Sequence, residues 1–464
     1  MAFKSIQIGR AATGLVAAFA VGASVVCTNT AHAQGLPLIR DTEIENLLAD
    51  YARPIFRSAG LGGGRVKMRV VRSNVFNAFV LDGRNVFVHT VALLQSQTPN
   101  EIIGVIAHEA GHIAGGHLAA LRNRIKKDQT RALLMQILGI GLMAAGAATG
   151  GDTGQEIGGA GTGVLYGGQD IVMRSLLAER RSQESAADQA GLSYLNQSKQ
   201  SGLGMLSTFE RFAQQEYISD THKDPFVRSH PVATDRLSRL RRLVESSAYY
   251  GVKDSRNLQL RHDLMRAKLS GYLMSPAAVR NRYPTSDQSL PALYARAIAR
   301  YFEGGVNGLP GALQGLDQLI AAMPSNGYFW EVKGDLLMRS GKGAQAVGPL
   351  RQALKLIGSS SLVEVQLAAA LLIVGGNNNV ASAVTLLRKS LATDQNPRGF
   401  RLLAQAYYKQ GKLPQADSVS AQAYFHEGNF EQAKIFAKRA QRKLKAGSPE
   451  WIRNDDILKF KLPK

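Results

Sequence analysis

The pattern of apolar and polar residues separates helix from strand in the first part of the chain. Residues 44–60, "IENLLADYARPIFRSAG", place apolar side chains at helical intervals and end at Gly60, which predicts a helix. Residues 65–73, "RVKMRVVRS", alternate between apolar and polar side chains and predict a strand. Two further strand-like runs flank Asp82 and Gly83 in "NAFVLDGRNVFVHTVALL", and this dipeptide is typical of a tight hairpin. The pattern therefore predicts a small sheet after the first helix.

Longer helices are predicted further along the chain. One begins near Pro99 and continues to about Lys127, and another runs from about Gln169 to about Asn196. Between them, residues 132–149 are nearly all apolar, and a glycine-rich stretch follows. Their length suits a transmembrane span. The many small residues instead favour a helical hairpin or flap over a site, with peripheral membrane contact as the alternative.

The last third of the chain has the pattern of a helical repeat array. Small residues recur at intervals of 34, 37 and 33 positions, at Ala312, Ala346, Ala383 and Ala416. The clearest unit also contains Trp330, Gly334, Leu337, Gly341, Leu350 and Ala353. These offsets are typical of the paired helices of tetratricopeptide repeats. An ordinary helical bundle is the alternative, because the spacing drifts.

These elements predict an α+β chain, in which a mainly helical domain with a small β-sheet precedes an all-α tetratricopeptide repeat solenoid. A length of 464 residues also suits two or three domains rather than one. We expect a signal peptide at 1–33, a first domain at 34–250, a connecting helical segment at 251–290 and the repeat domain at 291–464.

The N-terminus is typical of a cleaved secretory signal. Lys4 and Arg10 accompany an apolar run, and residues 31–33 have the A-x-A pattern of a cleavage site. Cys27 is the only cysteine and precedes that site, so the mature chain is expected to have neither a disulfide nor a cysteine nucleophile. The sequence thus predicts a periplasmic protein, with an uncleaved membrane anchor as the alternative.

The chain is strongly basic, with a formal net charge of +21. Such a charge is often associated with nucleic acid. Here the export signal and the scattered distribution of basic residues argue against a nucleic-acid partner. Binding to an anionic envelope surface is the better functional interpretation, but a solvated basic surface without a specific partner is slightly favoured over it.

One short stretch carries the candidate chemistry. His108-Glu109-Ala110-Gly111-His112 has the H-E-x-x-H pattern and lies within a predicted helix. Residues i and i+4 share one helix face, so both imidazoles can bind one ion while Glu109 projects beside it. Zinc suits neutral imidazole and takes a further protein ligand and a water in catalytic sites. The motif predicts one Zn²⁺ per chain, bound by His108 and His112, with Glu109 as the general base that takes a proton from water.

The third zinc ligand is predicted far along the chain, in "RSQESAADQAGL". Glu184 and Asp188 are four residues apart on a predicted helix, so both carboxylates face the same way. Glu184 can complete a His-His-Glu set, while Asp188 can accept the free N–H of a ligand histidine. Glu179 lies on the same helix but faces elsewhere. A solvated helix face is the alternative for the pair.

His117 makes the same stretch similar to the metzincin pattern H-E-x-x-H-x-x-G-x-x-H. One residue is missing, because Leu118 stands where the last histidine of that pattern would be. In an uninterrupted helix, His117 lies opposite His108 and cannot reach the ion. A metzincin would need a chain turn at Gly115 and Gly116.

"HEAGH" followed by "ESAAD" resembles the H-E-x-x-H … E-x-x-A-D signature of the HtpX-type gluzincin metallopeptidases. "NAFVLDGRNVFVHTVALL" is similar to the strand pair before the zinc helix of that family, and "RSHPVATDRL" to its His-Pro segment. The motifs cover roughly residues 40–250, and the repeats agree by architecture only. The "GG" before His117 departs from the bulkier residues expected there. The resemblance implies a zincin-type fold with His108, His112 and Glu184 as zinc ligands, Glu109 as base and Asp188 behind a ligand.

His230 precedes Pro231 and is therefore expected in an extended loop. The resemblance favours a functional role for it. It can stabilise the oxyanion of the reaction, or occupy the open position of the zinc and hold the enzyme latent; a hydrogen bond between loop and core is the alternative. Arg228 and Arg236 are weaker candidates for the same electrostatic role.

The strand in "NAFVLDG" is expected to offer its edge to an extended substrate through backbone hydrogen bonds. Asn77 and Phe79 would then border the cleft. Core packing of Phe79 is the alternative.

The sequence therefore predicts an exported zinc endopeptidase whose repeats select or dock its clients. The resemblance implies a role in envelope quality control. Unfolded or misassembled envelope proteins would be the substrates, and the outer-membrane assembly machinery would be the docking partner. The alternative is a chaperone or scaffold in outer-membrane protein assembly, in which proteolysis is minor.

Overall fold

A computed structural model of the chain describes residues 36–81, 83–124, 127, 178–213, 230 and 234–462. From Ile39 onward the chain forms one compact unit. The predicted signal peptide and residues 132–149 lie outside the described ranges. Within those ranges, none of the helices has the length and apolarity needed to cross a membrane.

A helix and a small sheet begin the described chain, as the alternation of its residues predicted. Helix α1 (Thr42–Ser58) follows a two-residue strand, β1 (Leu38–Ile39). The other strands are β2 (Lys67–Val71), β3 (Ala78–Val80) and β4 (Asn85–His89). Strand β4 pairs in parallel with β2 and antiparallel with β3, and the strand order is β1-β2-β4-β3. This order leaves β3 at an edge of the sheet. Both the strand and hairpin predictions are confirmed.

The helix that carries the H-E-x-x-H motif lies in the core of this region. It is α3 (Pro99–Ala114), which follows the short helix α2 (Thr90–Gln95). Residues 178–197 form α5, which buries one face that includes Glu184 and Asp188, and Leu203–Ala213 form α6. Glycines let these helices approach α3 at backbone distance. A Cβ on Gly104 would lie 2.6 Å from Met205 Cα, and one on Gly111 would lie 2.7 Å from the carbonyl oxygen of Ala187. The glycine inside the motif therefore serves close packing of α5 on α3.

Helix α3 is shorter than the sequence predicted. It ends at Ala114, and Gly116 adopts a left-handed backbone with φ of +64°. A new helical segment, α4, then covers residues 117–124. The prediction of one helix continuing to about Lys127 is therefore wrong, because the two glycines allow a turn that the apolar periodicity did not indicate.

Further helices connect the sheet-bearing region to the repeats. They are α7 (Thr234–Glu245), α8 (Arg256–Leu273) and α9 (Pro276–Arg282). The C-terminal array consists of α10 (Leu290–Gly304), α11 (Leu309–Ala322), α12 (Gly327–Arg339), α13 (Gly343–Ile357), α14 (Ser361–Val374), α15 (Asn377–Thr393), α16 (Pro397–Lys409), α17 (Leu413–His426), α18 (Phe430–Gln441) and α19 (Pro449–Lys459).

The array repeats with the period expected from the sequence. Helices α12, α14 and α16 start 34 and 36 residues apart, and so do α13, α15 and α17. The small residues predicted to recur are buried, and Gly334 is in such close contact that a Cβ there would lie 2.5 Å from Leu350 Cγ. The α+β class, with a small sheet followed by an all-α repeat array, is confirmed. The exact domain boundaries stay predictions.

A buried ionic cluster joins the repeats to the first helix. Lys268 on α8 is 1% exposed, and its Nζ lies 2.8 Å from Asp41 Oδ2 and 2.8 Å from Glu331 Oε2. Glu43 Oε2 is 3.4 Å from the same nitrogen. Asp41 and Glu43 lie at the start of α1, whereas Glu331 belongs to α12. One lysine thus bridges the sheet-bearing region and the repeat array.

Candidate metal centre

Four side chains converge beside α3. His108 and His112 come from α3 and Glu184 from α5, and together with His230 they offer donor atoms that all lie within 4.8 Å of one another. His108 Nε2 is 3.1 Å from His112 Nε2 and 3.2 Å from His230 Nδ1. Glu184 Oε2 lies 3.4 Å from His108 Nε2, and Glu184 Oε1 lies 3.4 Å from His112 Nε2.

These separations fit one tetrahedral zinc ion. Ligand atoms about 2.0–2.1 Å from such an ion lie about 3.3–3.4 Å from each other. The separations of 3.1–3.4 Å around His108 Nε2 match this geometry, and no two donor atoms of the cluster are more than 4.8 Å apart. The donor set of imidazole nitrogens and a carboxylate oxygen is also the one that zinc prefers. The cluster can therefore hold the metal that its sequence motif predicts.

Asp188 and Arg236 hold two of these donors in place. His108 Nδ1 donates to Asp188 Oδ1 over 2.9 Å, which leaves the lone pair of Nε2 directed into the cluster. The guanidinium of Arg236 pairs with Asp188 and lies 3.1 Å from Glu184 Oε2. Its side chain is 8% exposed and lies over the ring of Phe209. Arg236, which the sequence offered only as a weak electrostatic candidate, thus orients both carboxylates.

The two glutamates of the site have opposite electrostatic environments. Burial would raise the pKa of Glu184, but the nearby His230, His108 and His112 outweigh it and hold that pKa well below its usual value. Burial raises the pKa of Glu109. An ionised carboxylate suits a metal ligand, and a carboxylate with raised proton affinity suits a general base.

Glu109 also has an unused acceptor. Among the described residues, its buried Oε1 has no hydrogen-bond partner, although His230 Nε2 lies 3.4 Å away. A buried polar atom without a partner is costly and is common where a ligand or a water belongs. The glutamate of the motif is therefore directed toward the reactive side of the cluster.

An open cleft of about 400 Å³ leads to the cluster. Glu109, His112, Glu184 and His230 lie at its base. Its walls include Phe79 and Val80 from β3, Leu118, Leu121 and Arg122 from α4, and Arg180 from α5. The lining is thus largely apolar with two arginines at its walls.

The residues predicted at the edge strand lie beside this cleft in different ways. Phe79 lines the cleft and also stacks on Phe87, with ring centroids 5.2 Å apart. Asn77 lies just before β3, and its carbonyl accepts a hydrogen bond from His89 N over 2.9 Å. Phe79 therefore both borders the cleft and packs against another core side chain, which are the two placements that the sequence left open.

His117 is not where an uninterrupted helix would place it. Because the chain turns at Gly115 and Gly116, His117 Nδ1 lies 3.0 Å from His112 Nδ1 instead of on the opposite side of the helix. The prediction that His117 is turned away from the site is wrong for this reason. It does not belong to the donor cluster, which consists of His108, His112, Glu184 and His230.

Two histidines from one helix, a glutamate from a second helix and the carboxylate of Glu109 beside them form the arrangement of zincin-type metallopeptidases. Residues 39–244 match the model of peptidase family M48, a family of zinc metallopeptidases. The match covers 206 of the 464 residues, and it confirms the resemblance to metallopeptidases inferred from the motifs.

Curated relatives extend the similarity beyond that domain. A beta-barrel assembly-enhancing protease of Yersinia pestis is 25% identical over 434 residues, covering 90% of this chain and 83% of that protein. The protein of the same name from Escherichia coli strain K12 is 26% identical over 349 residues, which cover 73% of this chain and 66% of that protein. Metalloprotease LoiP of the same strain is 25% identical over 198 residues, covering 42% and 70%, respectively.

Solved structures add little to the description of the repeats. The structure "MamA MSR-1 C2" shares 19% identity and covers 40% of this chain and 99% of its own, with a TM-score of 0.29. The evidence for a repeat array is therefore the periodic spacing of helices α12 to α17.

Proposed function

We propose that this protein is an exported zinc endopeptidase that cleaves unfolded or misassembled envelope proteins. The observation that carries the proposal is the convergence of four donor atoms beside Glu109, whose buried Oε1 makes no hydrogen bond within the described residues, at the base of an open cleft. A cleft open to the surface suits a chain segment that enters from the side. The names of the relatives, which are proteases linked to β-barrel assembly, support envelope proteins as substrates.

In this proposal His108, His112 and Glu184 hold one Zn²⁺. Zinc bound there supplies an activated water and polarises the carbonyl of the scissile peptide. Asp188 keeps the N–H of His108 on Nδ1, and Arg236 keeps the Glu184 carboxylate in place. These contacts hold the ligands before substrate arrives, which lowers the reorganisation that the reaction requires.

Glu109 carries the proton. Its Oε1 takes a proton from the attacking water and then donates it to the nitrogen of the leaving amine. Burial raises the pKa of Glu109 and so increases its proton affinity, which favours this shuttle. A Glu109→Gln variant keeps the shape of the site and removes the base.

His230 is proposed to hold the fourth donor position and keep the free enzyme latent. Its Nδ1 lies 3.2 Å from His108 Nε2 and 3.1 Å from Glu184 Oε2, which favours this role over donation to an oxyanion. His230→Ala is then expected to retain zinc and to raise basal cleavage of an unfolded substrate. A loss of about 10²–10³ in kcat would instead assign His230 to the oxyanion.

Strand β3 is proposed to receive the substrate as an added antiparallel strand. It is an edge strand, and Phe79 on it borders the cleft. Phe79→Ala is expected to raise KM for apolar substrates with a smaller effect on kcat, because the ring contacts the substrate away from the reacting atoms. An unchanged KM would assign Phe79 to core packing with Phe87 alone. Asn77, whose carbonyl binds β4, would support this edge without contacting the substrate directly.

The repeats are proposed to dock clients or the outer-membrane assembly machinery in the periplasm. A groove of about 280 Å³ between α15, α16, α17 and α19 is lined by both polar and apolar side chains. Phe400, Leu403 and Val419 are among its apolar residues and Arg388 is a cation, whereas Arg453 pairs with Glu450, which also lines the groove. This composition suits a peptide or a partner helix of mixed polarity.

The same groove is the specific observation that favours the second candidate, a chaperone or scaffold in which proteolysis is minor. The Glu109→Gln variant separates the two functions in a strain that lacks the protein. If the protease is the principal function, the variant fails to restore outer-membrane protein assembly although it accumulates and binds zinc. Full restoration by Glu109→Gln would make the scaffold the principal function.

A further inference from the structure

We propose that His117 is a positioning residue that fixes the ring of His112, and that the glycine pair before it exists to place it there. The inference rests on the proposed role of His112 as a zinc ligand. His117 is the one histidine of "HEAGHIAGGH" that is not a donor of the metal cluster and lies beyond the end of α3.

The protons on the two rings follow from what surrounds them. His112 Nε2 faces His108 Nε2 at 3.1 Å and Glu184 Oε1 at 3.4 Å, so it must present a lone pair if His112 is to bind a metal. Its proton then lies on Nδ1, which is 3.0 Å from His117 Nδ1. His112 therefore donates and His117 accepts. Their rings meet edge to face, at 82° with centroids 5.0 Å apart.

With this contact, both histidines of the motif have a hydrogen-bond acceptor at Nδ1. Asp188 accepts the Nδ1 proton of His108, and His117 accepts the Nδ1 proton of His112. An acceptor behind each ligand histidine fixes its tautomer and its ring orientation. Here one acceptor is a carboxylate and the other is a neutral imidazole, which adds no negative charge to the open side of the cleft.

The sequence "GGH" explains how His117 reaches this position. The backbone of Gly115, with φ of −73° and ψ of −7°, is one that any residue adopts, yet a Cβ there would lie 2.4 Å from His117 Nε2. A glycine at position 115 is therefore needed to leave room for the ring of His117, and not to allow an unusual backbone conformation. Gly116, with φ of +64°, supplies the left-handed turn that reverses the chain.

The segment beyond the turn is also held. Arg122, near the other end of α4, donates to the carbonyl of Leu81 over 2.7 Å, which ties α4 to the turn between β3 and β4. His117 is thus fixed between the glycine turn on one side and the anchored helix on the other. This rigidity suits a residue whose task is to orient a neighbour.

The test measures the zinc dissociation constant of the mature full chain by competition with a chromophoric chelator. We expect His117→Ala to weaken zinc binding by about tenfold to hundredfold, as loss of a partner behind a ligand generally does. The Oδ1 atom of asparagine stands at the same number of bonds from Cβ as Nδ1 of histidine. We therefore expect His117→Asn to restore the affinity to within about threefold of the unaltered protein.

A double-mutant cycle tests the glycine. Gly115→Ala should displace the ring of His117 and weaken zinc binding by about the same factor as His117→Ala. In the His117→Ala background, Gly115→Ala should change the affinity little, because no ring remains to be displaced. Ala120→Gly, at an exposed position of α4 outside the cleft, is the matched control for a backbone change in this segment and should leave zinc affinity unchanged.

The outcomes separate the two proposals. Zinc binding by His117→Ala as tight as that of the unaltered protein would overturn the positioning role and leave the zinc peptidase intact. Additive losses from Gly115→Ala and His117→Ala would likewise overturn the assignment of Gly115 to the ring. Failure of the unaltered protein to bind zinc would overturn the proposed function itself, and this inference with it.

Discussion

Removing the buried cation that joins the repeats to α1 should destabilise that junction strongly, and more so at higher pH. In Lys268→Met, three carboxylates lose their shared partner, namely those of Asp41, Glu43 and Glu331. Breaking a buried ion pair by removing one partner costs about 3–5 kcal/mol. Methionine has a similar volume to lysine, so the loss reports charge rather than a cavity.

The pH dependence follows from the carboxyl groups. Burial raises the pKa of Glu43 to about 7 even with Lys268 present, and burial also raises that of Glu331. Without the lysine, the pKa values of Glu43 and Glu331 in the folded variant rise further above those in the unfolded chain. The folded variant therefore keeps protons on these carboxyls at pH values where the unfolded chain has released them. The free energy of unfolding is thus unaffected by these groups below their unfolded pKa and falls as the pH rises toward their folded pKa. Each affected carboxyl adds up to about 1.4 kcal/mol of loss per pH unit.

The assay is urea unfolding followed by tryptophan fluorescence at pH 5.5 and pH 8.0. The chain has two tryptophans, and one of them, Trp330, adjoins Glu331; Trp451→Phe therefore leaves a single reporter at the junction. Lys459→Met is the matched control, because Lys459 pairs with Asp455 at the exposed end of α19, away from Trp330, and its loss should change the free energy of unfolding little at either pH. A Lys268→Met penalty that is small, or that does not grow with pH, would refute the reasoning.

Two further predictions concern buried polar contacts. Arg236→Met should weaken zinc binding by about tenfold to hundredfold, because Glu184 and Asp188 lose the guanidinium that donates to both of them. Competition with a chelator measures the zinc affinity. An unchanged affinity would show that Arg236 does not position the zinc ligands. His262 is buried, with its Nε2 donating to the carbonyl of Ser96 and its Nδ1 accepting from Tyr51, and burial lowers its pKa to about 4. The unfolded chain therefore binds the proton first as pH falls from about 6.5 to 4, and folding should lose up to about 3 kcal/mol over that window. In His262→Gln the slope of unfolding free energy against pH should be shallower there, and an unchanged slope would exclude His262 as its source.

Much of the fold and most of the site followed from local sequence patterns. The alternation of β2, the hairpin at Gly83 and the period of the repeats are local features, and each was predicted correctly. Glu184 and Asp188 were found because residues four apart on a helix face one way, which requires no knowledge of the tertiary structure. The pair of histidines in the motif was found by the same argument.

The contacts that the sequence did not predict are those set by packing between distant segments. Apolar periodicity cannot show whether a helix continues through two glycines, so the turn that brings His117 to His112 was missed. Lys268 looks like an ordinary basic residue of an amphipathic helix, and its carboxylate partners lie 227 residues upstream at Asp41 and 63 residues downstream at Glu331. No local pattern distinguishes such a buried lysine from an exposed one.

The most direct test of the zinc peptidase is the zinc content of the mature protein, measured together with its cleavage of an unfolded envelope protein. One zinc per chain is expected, with cleavage that a chelator abolishes and that added zinc restores. Glu109→Gln should retain the zinc and lose cleavage by about 10²–10⁴-fold. Cleavage that survives removal of the metal, or that persists undiminished in Glu109→Gln, would contradict the assignment of this site.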